Sequence, residues 1–190
     1  MKIIGEYLNG VLLIEDQVYY DDRGYFYESW NERELKKIID KDFVQDNVSY
    51  SPCKVVRGLH FQDPHPQGKL IRPVKGTIRD VVVDIRKDSP TFGEHHTFFL
   101  SNDSLLYVPE GFAHGFEVLS DSAIVSYKCT DYYSPESQYT LKWNDPDIGI
   151  QWTWNHDEQI LSDKDMKGMT LKELMEKSID TDQDIIYTGC

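Results

Sequence analysis

The sequence predicts an all-β fold, a sandwich or barrel of short strands. Three observations predict it. Segments of about 6–10 residues rich in β-branched and aromatic side chains follow one another along most of the chain, separated by Gly, Pro, Asp and Asn. Only two stretches carry a helix-start pattern, and both are short. The 190 residues, 39% hydrophobic and 13% aromatic, are enough for one domain with a sizeable core and too few for two ordinary ones.

In order, Val11–Glu15 is an apolar run with strand character. Asp21-Asp22-Arg23-Gly24 is a turn signal, and Tyr25–Glu28 resumes a strand. Asn31-x-x-Glu34 is a capping pattern leading into Leu35, Ile38 and Ile39 at helical spacing. Strands are then expected over Phe43–Tyr50, Lys54–Phe61 and Lys69–Val74, with Lys75-Gly76 as a hairpin turn into Thr77–Arg86. In that last strand Ile78, Asp80, Val82 and Asp84 share one face, and Val81, Val83 and Ile85 the other. Ser89–Gly93 breaks the pattern. His95–Leu100, Leu105–Val108, Phe112–Leu119 and Ala123–Thr130 follow, with Tyr139–Trp143 as a further strand. Thr170-x-x-Glu173 opens a second short helix reaching Met175 or Lys177. One domain is expected over residues 1–177, with a loosely attached acidic tail over 178–190.

The formal net charge of −13 argues against nucleic acid or an anionic membrane as partner, and it requires any anion-binding cations to be concentrated in one cleft. No apolar run approaches a membrane span, and the first residues lack the apolar core of a signal peptide. The 3 cysteines have neither framework nor zinc spacing, so reduced thiols in a cytoplasmic protein are expected.

Two constellations carry chemistry. Arg57-Gly58-Leu59-His60-Phe61-Gln62, followed by Gln67-Gly68-Lys69, brings together an anion ligand, a proton acceptor near neutral pH and a fixed positive charge. Removing a proton beside a carbonyl needs those three things. Gly58 permits close backbone approach. A histidine base wants one ring nitrogen oriented by a carboxylate, and Asp163 and Asp165 are both candidates. The second constellation is Pro109-x-Gly111-x-x-His114, which resembles the second metal motif of the cupin superfamily. The first cupin motif wants His-x-His, and here it reads His60-Phe61-Gln62. His60 and His114 alone make a poor metal site, so a cupin-type jelly roll without metal is expected, with His114 a hydrogen-bonding group in the pocket wall. Tyr127 lies in a strand, and a tyrosine pointing into the barrel beside a histidine is a proton donor that stays protonated at neutral pH.

The ordered series DDRGYFYES, FVQDNVSYS, RGLHFQ, QGKL, DVVVDIRKDSPTFG, VPEGFAHGF, YKCTDYYSP, WNDPDIGIQW and ILSDKD, spanning residues 21–165, resembles the dTDP-4-dehydrorhamnose 3,5-epimerase family. The resemblance implies a nucleotide-linked 4-keto-6-deoxy sugar as substrate, no cofactor and a homodimer built by exchange of N-terminal strands, an open edge at Val11–Glu15 being the expected place. It implies His60 as the base, Asp165 as its orienting carboxylate, Lys69 at the enolate oxygen and Tyr127 as the acid. Arg23, Glu28, Gln45, Asn47, Arg57, His114 and Lys164 are implied to hold the substrate, and Tyr133 to stack on the base. Gln138 stands where the family commonly has a glutamate. Relatives of this fold invert one centre only, and sequence motifs do not separate them from those that invert both.

Overall fold

The computed structural model describes residues 1–177, so the tail expected over 178–190 lies outside the described residues. The chain runs β1 (Lys2–Tyr7), β2 (Val11–Glu15), β3 (Val18–Asp21), β4 (Gly24–Tyr27), α1 (Glu32–Leu35), β5 (Gln45–Pro52), β6 (Val56–Gln62) and β7 (Lys69–Lys75). It continues with β8 (Ile78–Asp84), β9 (His95–Leu100), β10 (Ser104–Val108), β11 (Phe112–Val118), β12 (Ser122–Cys129), β13 (Gln138–Thr140) and α2 (Asp163–Met166). Two antiparallel sheets form a cupin-type sandwich, in the orders β1-β2-β10-β7-β12-β5 and β13-β6-β11-β8-β9. A separate β3–β4 hairpin stands beside them.

Three apolar clusters explain why so many strands are apolar on both faces. The first fills the space between the sheets, with Ile71, Ile78, Val82, Leu106, Phe116 and Val125 among its members. The second lies on the outer face of the five-stranded sheet, where Leu141, Ile148, Ile150 and Leu174 cover Leu59, Phe61, Val81 and Val83. The third packs α1 and its exit, through Leu35 and Ile39, onto Ile14, Leu70 and Leu105 of the other sheet. The alternation expected in β8 therefore holds, with one face turned to the sandwich interior and the other to the C-terminal segment. At about 25 cal/mol per Å² of apolar surface removed from water, this double burial is the main term holding the sheets together.

The helix starts are where the capping patterns place them. Asn31 Oδ1 accepts from Glu34 N at 3.2 Å. The box at Thr170 is reciprocal, with Glu173 N donating to Thr170 Oγ1 at 3.2 Å and Thr170 N to Glu173 Oε2 at 2.7 Å, opening a helix over 171–177. Among the described residues, no helix is long and apolar enough to cross a membrane.

Three expectations are corrected. Lys75-Gly76 is not a hairpin turn, because β7 and β8 belong to different sheets; Gly76, at φ +81°, carries the chain from one sheet to the other. Val11–Glu15 is not an edge, because β1, with no distinctive alternation in its sequence, pairs along it and takes the edge position. The strand expected from Lys54 begins at Val56, since Lys54 adopts a positive φ of 67° in the turn before it.

Candidate active site

The site is the open end of the sandwich interior, where the inward rows change from apolar to polar. On β7 the row passes from Ile71 to Lys69, and on β12 from Val125 to Tyr127. The facing row of β5 offers Gln45, Asn47 and Ser49, paired in register with Cys129, Tyr127 and Val125. On the other sheet, His60 of β6 pairs with His114 of β11. The two strands come together at Gly58 and Gly115: a Cβ on Gly58 would lie 2.6 Å from Gly115 Cα, and one on Gly115 would lie 2.5 Å from the Arg57 carbonyl. That is the close approach the sequence asks of Gly58.

Two chambers share His60, Lys69 and Tyr127. The outer one, of about 290 Å³, is lined also by Gln45, Asn47, Phe61, Gln62, Gln67, Tyr133 and Gln138. The inner one, of about 120 Å³, is lined also by Ser49, Arg57, His114, Gly115, Phe116 and Val125. The imidazole, the amine and the phenol thus stand at one junction, as groups acting on the same bound molecule would have to.

His60 Nε2 lies 2.6 Å from Asp165 Oδ1, so the structure chooses Asp165 over Asp163. Asp165 sits in α2, capped by the Ser162 hydroxyl, which accepts from Asp165 N at 3.2 Å, and Gly58 N donates to its other oxygen at 3.4 Å. A four-residue helix leaves no periodic signature, which is why the local pattern left both aspartates open and only the family resemblance pointed to Asp165. Burial pushes the His60 pKa below its ordinary value, against the raising effect of the Asp165 carboxylate. The ring is therefore neutral at neutral pH, as a base must be. With Nε2 donating to Asp165, Nδ1 is left as the basic nitrogen. On Asp165 burial acts upward, and the His60 contact with the Gly58 and Ser162 hydrogen bonds brings its pKa below the ordinary value.

Lys69 Nζ donates to the His60 carbonyl at 3.3 Å, and burial lowers its pKa. Burial raises the Tyr127 pKa, so the phenol keeps its proton at neutral pH. Arg57 donates from Nε to Ser51 Oγ at 2.8 Å and from Nη2 to the Tyr50 carbonyl at 3.1 Å, which aims an exposed guanidinium at the inner chamber. Gln45 Nε2 donates to Asn47 Oδ1 at 3.0 Å, and Gln45 Oε1 accepts from Tyr133 N at 2.8 Å, tying the loop that carries Tyr133 to the cavity wall. Lys164 is exposed on α2, and its positive charge acts on His60.

Three expected residues do not line this cavity: Lys164, exposed on α2, Arg23 and Glu28. Arg23 pairs with Asp21 at the tip of the β3–β4 hairpin, its side chain 90% exposed. Glu28 accepts from Asn31 Nδ2 at 3.0 Å and lines a different surface depression with Asp16 and Lys37.

Three polar residues were named in the sequence analysis without a site role. Gln62, at the cupin ligand position, donates to the His65 carbonyl at 2.7 Å and accepts from Ser134 N at 3.0 Å, so its amide anchors loops. Gln67 Nε2 donates to the Asp131 carbonyl at 2.8 Å. Asp80 Oδ2 lies 2.8 Å from His114 Nε2, and Asp80 is 0% exposed. Its signal was visible: a carboxylate in the apolar row of Ile78 and Val82. Among the described residues, no three His, Cys, Asp or Glu side chains form a group able to hold a metal ion.

A family model described as dTDP-4-dehydrorhamnose 3,5-epimerase matches residues 6–173. The chain is 48% identical over 176 residues to the dTDP-4-dehydrorhamnose 3,5-epimerase of Methanothermobacter thermautotrophicus, covering 90% of this chain and 95% of that one. Its fold is similar to the crystal structure of the 3,5-epimerase of Legionella pneumophila in complex with dTDP-4-keto-L-rhamnose, with TM-score 0.86, 42% identity and coverage of 91% and 96%. It is also similar to the Bacillus anthracis dTDP-4-dehydrorhamnose 3,5-epimerase with TDP and pyrophosphate bound, with TM-score 0.85, 44% identity and coverage of 89% and 98%.

Proposed function

The chain belongs to the dTDP-4-dehydrorhamnose 3,5-epimerase family, and we propose that it inverts C3 and C5 of dTDP-4-dehydro-6-deoxy-D-glucose to give dTDP-4-dehydro-L-rhamnose. The observation that carries this is the convergence of His60, Lys69 and Tyr127 at the junction of the two chambers.

The C4 ketone acidifies the hydrogens on C3 and C5. His60 Nδ1 takes one, while Asp165 holds Nε2 and stabilises the imidazolium that forms. The electron pair moves onto the ketone oxygen, where the Lys69 ammonium meets the developing negative charge. This electrostatic term is the largest, on the order of several kcal/mol. Tyr127 returns a proton to the opposite face of the carbon, which inverts the centre. Gln45, Asn47, Arg57 and His114, which line the chambers, hold the sugar and diphosphate together with Lys164 from the neighbouring α2, and Tyr133, with Gln138 in the same wall, receives the base. No step draws on a metal or organic cofactor.

The protein acts in the cytoplasm as a homodimer of a single domain over residues 1–177. Two exposed features support dimerisation: the edge strand β1, with Ile3 42% and Ile4 50% exposed, and the β3–β4 hairpin, with Tyr20 73% and Phe26 70% exposed. The same hairpin carries Arg23, and Glu28 follows it, so a dimer that covers this surface is how both reach a substrate.

The test is incubation with dTDP-4-keto-6-deoxyglucose in D₂O, read by mass spectrometry and NMR after reductive trapping. Deuterium at C3 and C5 with the L-rhamno product is expected. Deuterium at one carbon only would reduce the function to a single-centre epimerase, and no exchange would refute it.

A further inference from the structure

We propose that Gln62 is a positioning residue for nucleotide binding: its side-chain amide, working with that of Gln45 from the opposite sheet, holds the loop between β12 and β13 so that Tyr133 stands ready to stack on the base. The inference rests on the nucleotide half of the proposed function, that Tyr133 receives the base, and not on the inversion chemistry.

The loop leaves β12 after Cys129 and enters β13 at Gln138. Those strands belong to different sheets, so residues 130–137 cross the mouth of the sandwich. Backbone polar groups there need partners outside the ladders. Glutamines of the outer chamber supply them. Gln67 Nε2 donates to the Asp131 carbonyl at 2.8 Å. Gln62 Nε2 donates to the Tyr132 carbonyl at 3.3 Å and to the His65 carbonyl at 2.7 Å. Gln45 Oε1 accepts from Tyr133 N at 2.8 Å, and Gln62 Oε1 accepts from Ser134 N at 3.0 Å. Tyr133 is thus bracketed. Gln62 holds the carbonyl before it and the N–H after it, and Gln45 holds its own N–H.

The chemistry of position 62 asks for an amide. Gln62 is 6% exposed, so its polar atoms need partners within the protein. A neutral imidazole offers one donor and one acceptor, and a carboxylate only acceptors. Neither serves two carbonyls and an N–H together, whereas the amide does. The departure from the cupin metal pattern is therefore the residue type that this loop requires.

Tyr133 is 50% exposed, so its neighbours cover only half of it and its backbone sets where the ring stands. A loop fixed before binding spares the ligand the cost of ordering it, and that saving appears as affinity.

Gln62→Met keeps the volume, adds no charge and removes all three hydrogen bonds of the amide. It should weaken dTDP binding, measured by calorimetry, by about tenfold, the scale of a base–aromatic stack. KM should rise in step, with kcat falling less. In a Tyr133→Ala background the same substitution should cost less than about twofold, because the group it positions is gone. The proposal is overturned if Gln62→Met binds dTDP as wild type does, or if its loss persists undiminished beside Tyr133→Ala.

A second measurement needs no variant. NMR of amide exchange in the wild-type protein without ligand should find the Tyr133 and Ser134 N–H groups slowed by about tenfold or more relative to an unstructured chain. Rates at the unstructured value overturn the inference. Should wild type bind dTDP with the Gln62 and Tyr133 results as stated, yet move no deuterium into the sugar, the proposed reaction is at fault and the inference stands. Failure of wild type to bind dTDP overturns both.

Discussion

His60 and His114 are register partners on neighbouring strands, and each meets a carboxylate through Nε2, at 2.6 Å from Asp165 and 2.8 Å from Asp80. The chemistry of the two pairs is the same, but their surroundings are not. The His60 side chain is 29% exposed and borders both chambers, whereas that of His114 is 10% exposed and borders the inner one. Asp165 reaches His60 from a short helix, and Asp80 reaches His114 from within the sandwich. Access is what the proposed mechanism uses to tell apart the pair that exchanges protons with a substrate. On the proposed mechanism the open pair does the proton transfer, and the closed pair shapes the wall of the inner chamber beside it.

The largest effect that could break this contrast is at His60. His60→Ala should lower deuterium exchange at both carbons by about 10³-fold or more while leaving dTDP binding, measured by calorimetry, nearly intact. If exchange persisted and fell in His114→Gln instead, the two roles would be reversed. Asp165→Asn should cost about 10²-fold in kcat/KM, because the ring loses its fixed tautomer. The neutral base of the wild type already places the acid limb of the pH–rate profile below the ordinary histidine value of 6.5. Losing the Asp165 charge, which raises that pKa, should move the limb lower still. A limb moving upward would contradict the assignment. Tyr127→Phe separates removal of a proton from its return. Exchange should continue while formation of the inverted product falls by about 10²-fold, so their ratio, followed by NMR, is the diagnostic.

The smallest effect sharpens the contrast from a third carboxylate. Asp84 lies on the same strand as Asp80 and is equally buried, but its oxygens are fully engaged. Arg86 donates from Nε at 2.9 Å and Nη2 at 2.7 Å, and Thr91 Oγ1 donates at 2.6 Å. Burial raises its pKa, but these bonds more than offset that and bring it from 3.8 to about 2. Its stabilisation is therefore fully present above pH 3.8 and is lost as pH falls through about 2. Asp84→Asn should cost on the order of 2 kcal/mol in urea unfolding at pH 7, with the difference from wild type shrinking toward pH 2 and kcat per folded molecule unchanged. A difference that persists undiminished at pH 2 would show that ionisation is not its source.

The contrast also shows what the sequence makes legible. Strand order along the chain, the apolar alternation of β8 and the two capping boxes are local, so they could be read. The family motifs identified His60, Lys69 and Tyr127, and the fold brings them together. Two features could not be read locally. Asp163 and Asp165 lie two positions apart in a helix too short to show a face, so local pattern does not separate them; the family resemblance pointed to Asp165, and the tertiary contact with His60 agrees. Whether Lys75-Gly76 closes a hairpin or crosses between sheets depends on which strands pair, and pairing is not written in the turn. Asp80 was visible as an oddity in an apolar row, but its partner, His114, lies 34 residues away on β11.

The contact between His60 and Asp165 spans 105 residues of chain. At 5–20 residues per second, a ribosome needs about 5–20 s to pass from one to the other. Every described strand has been synthesised before the carboxylate exists, and Leu174, part of the cover on the outer sheet, is made later still. A chain abandoned before Asp165 therefore has His60 without its carboxylate contact and an outer sheet without its full cover. On the proposed mechanism, such unfinished copies would fall well short of the finished chain in acting on 4-keto sugars.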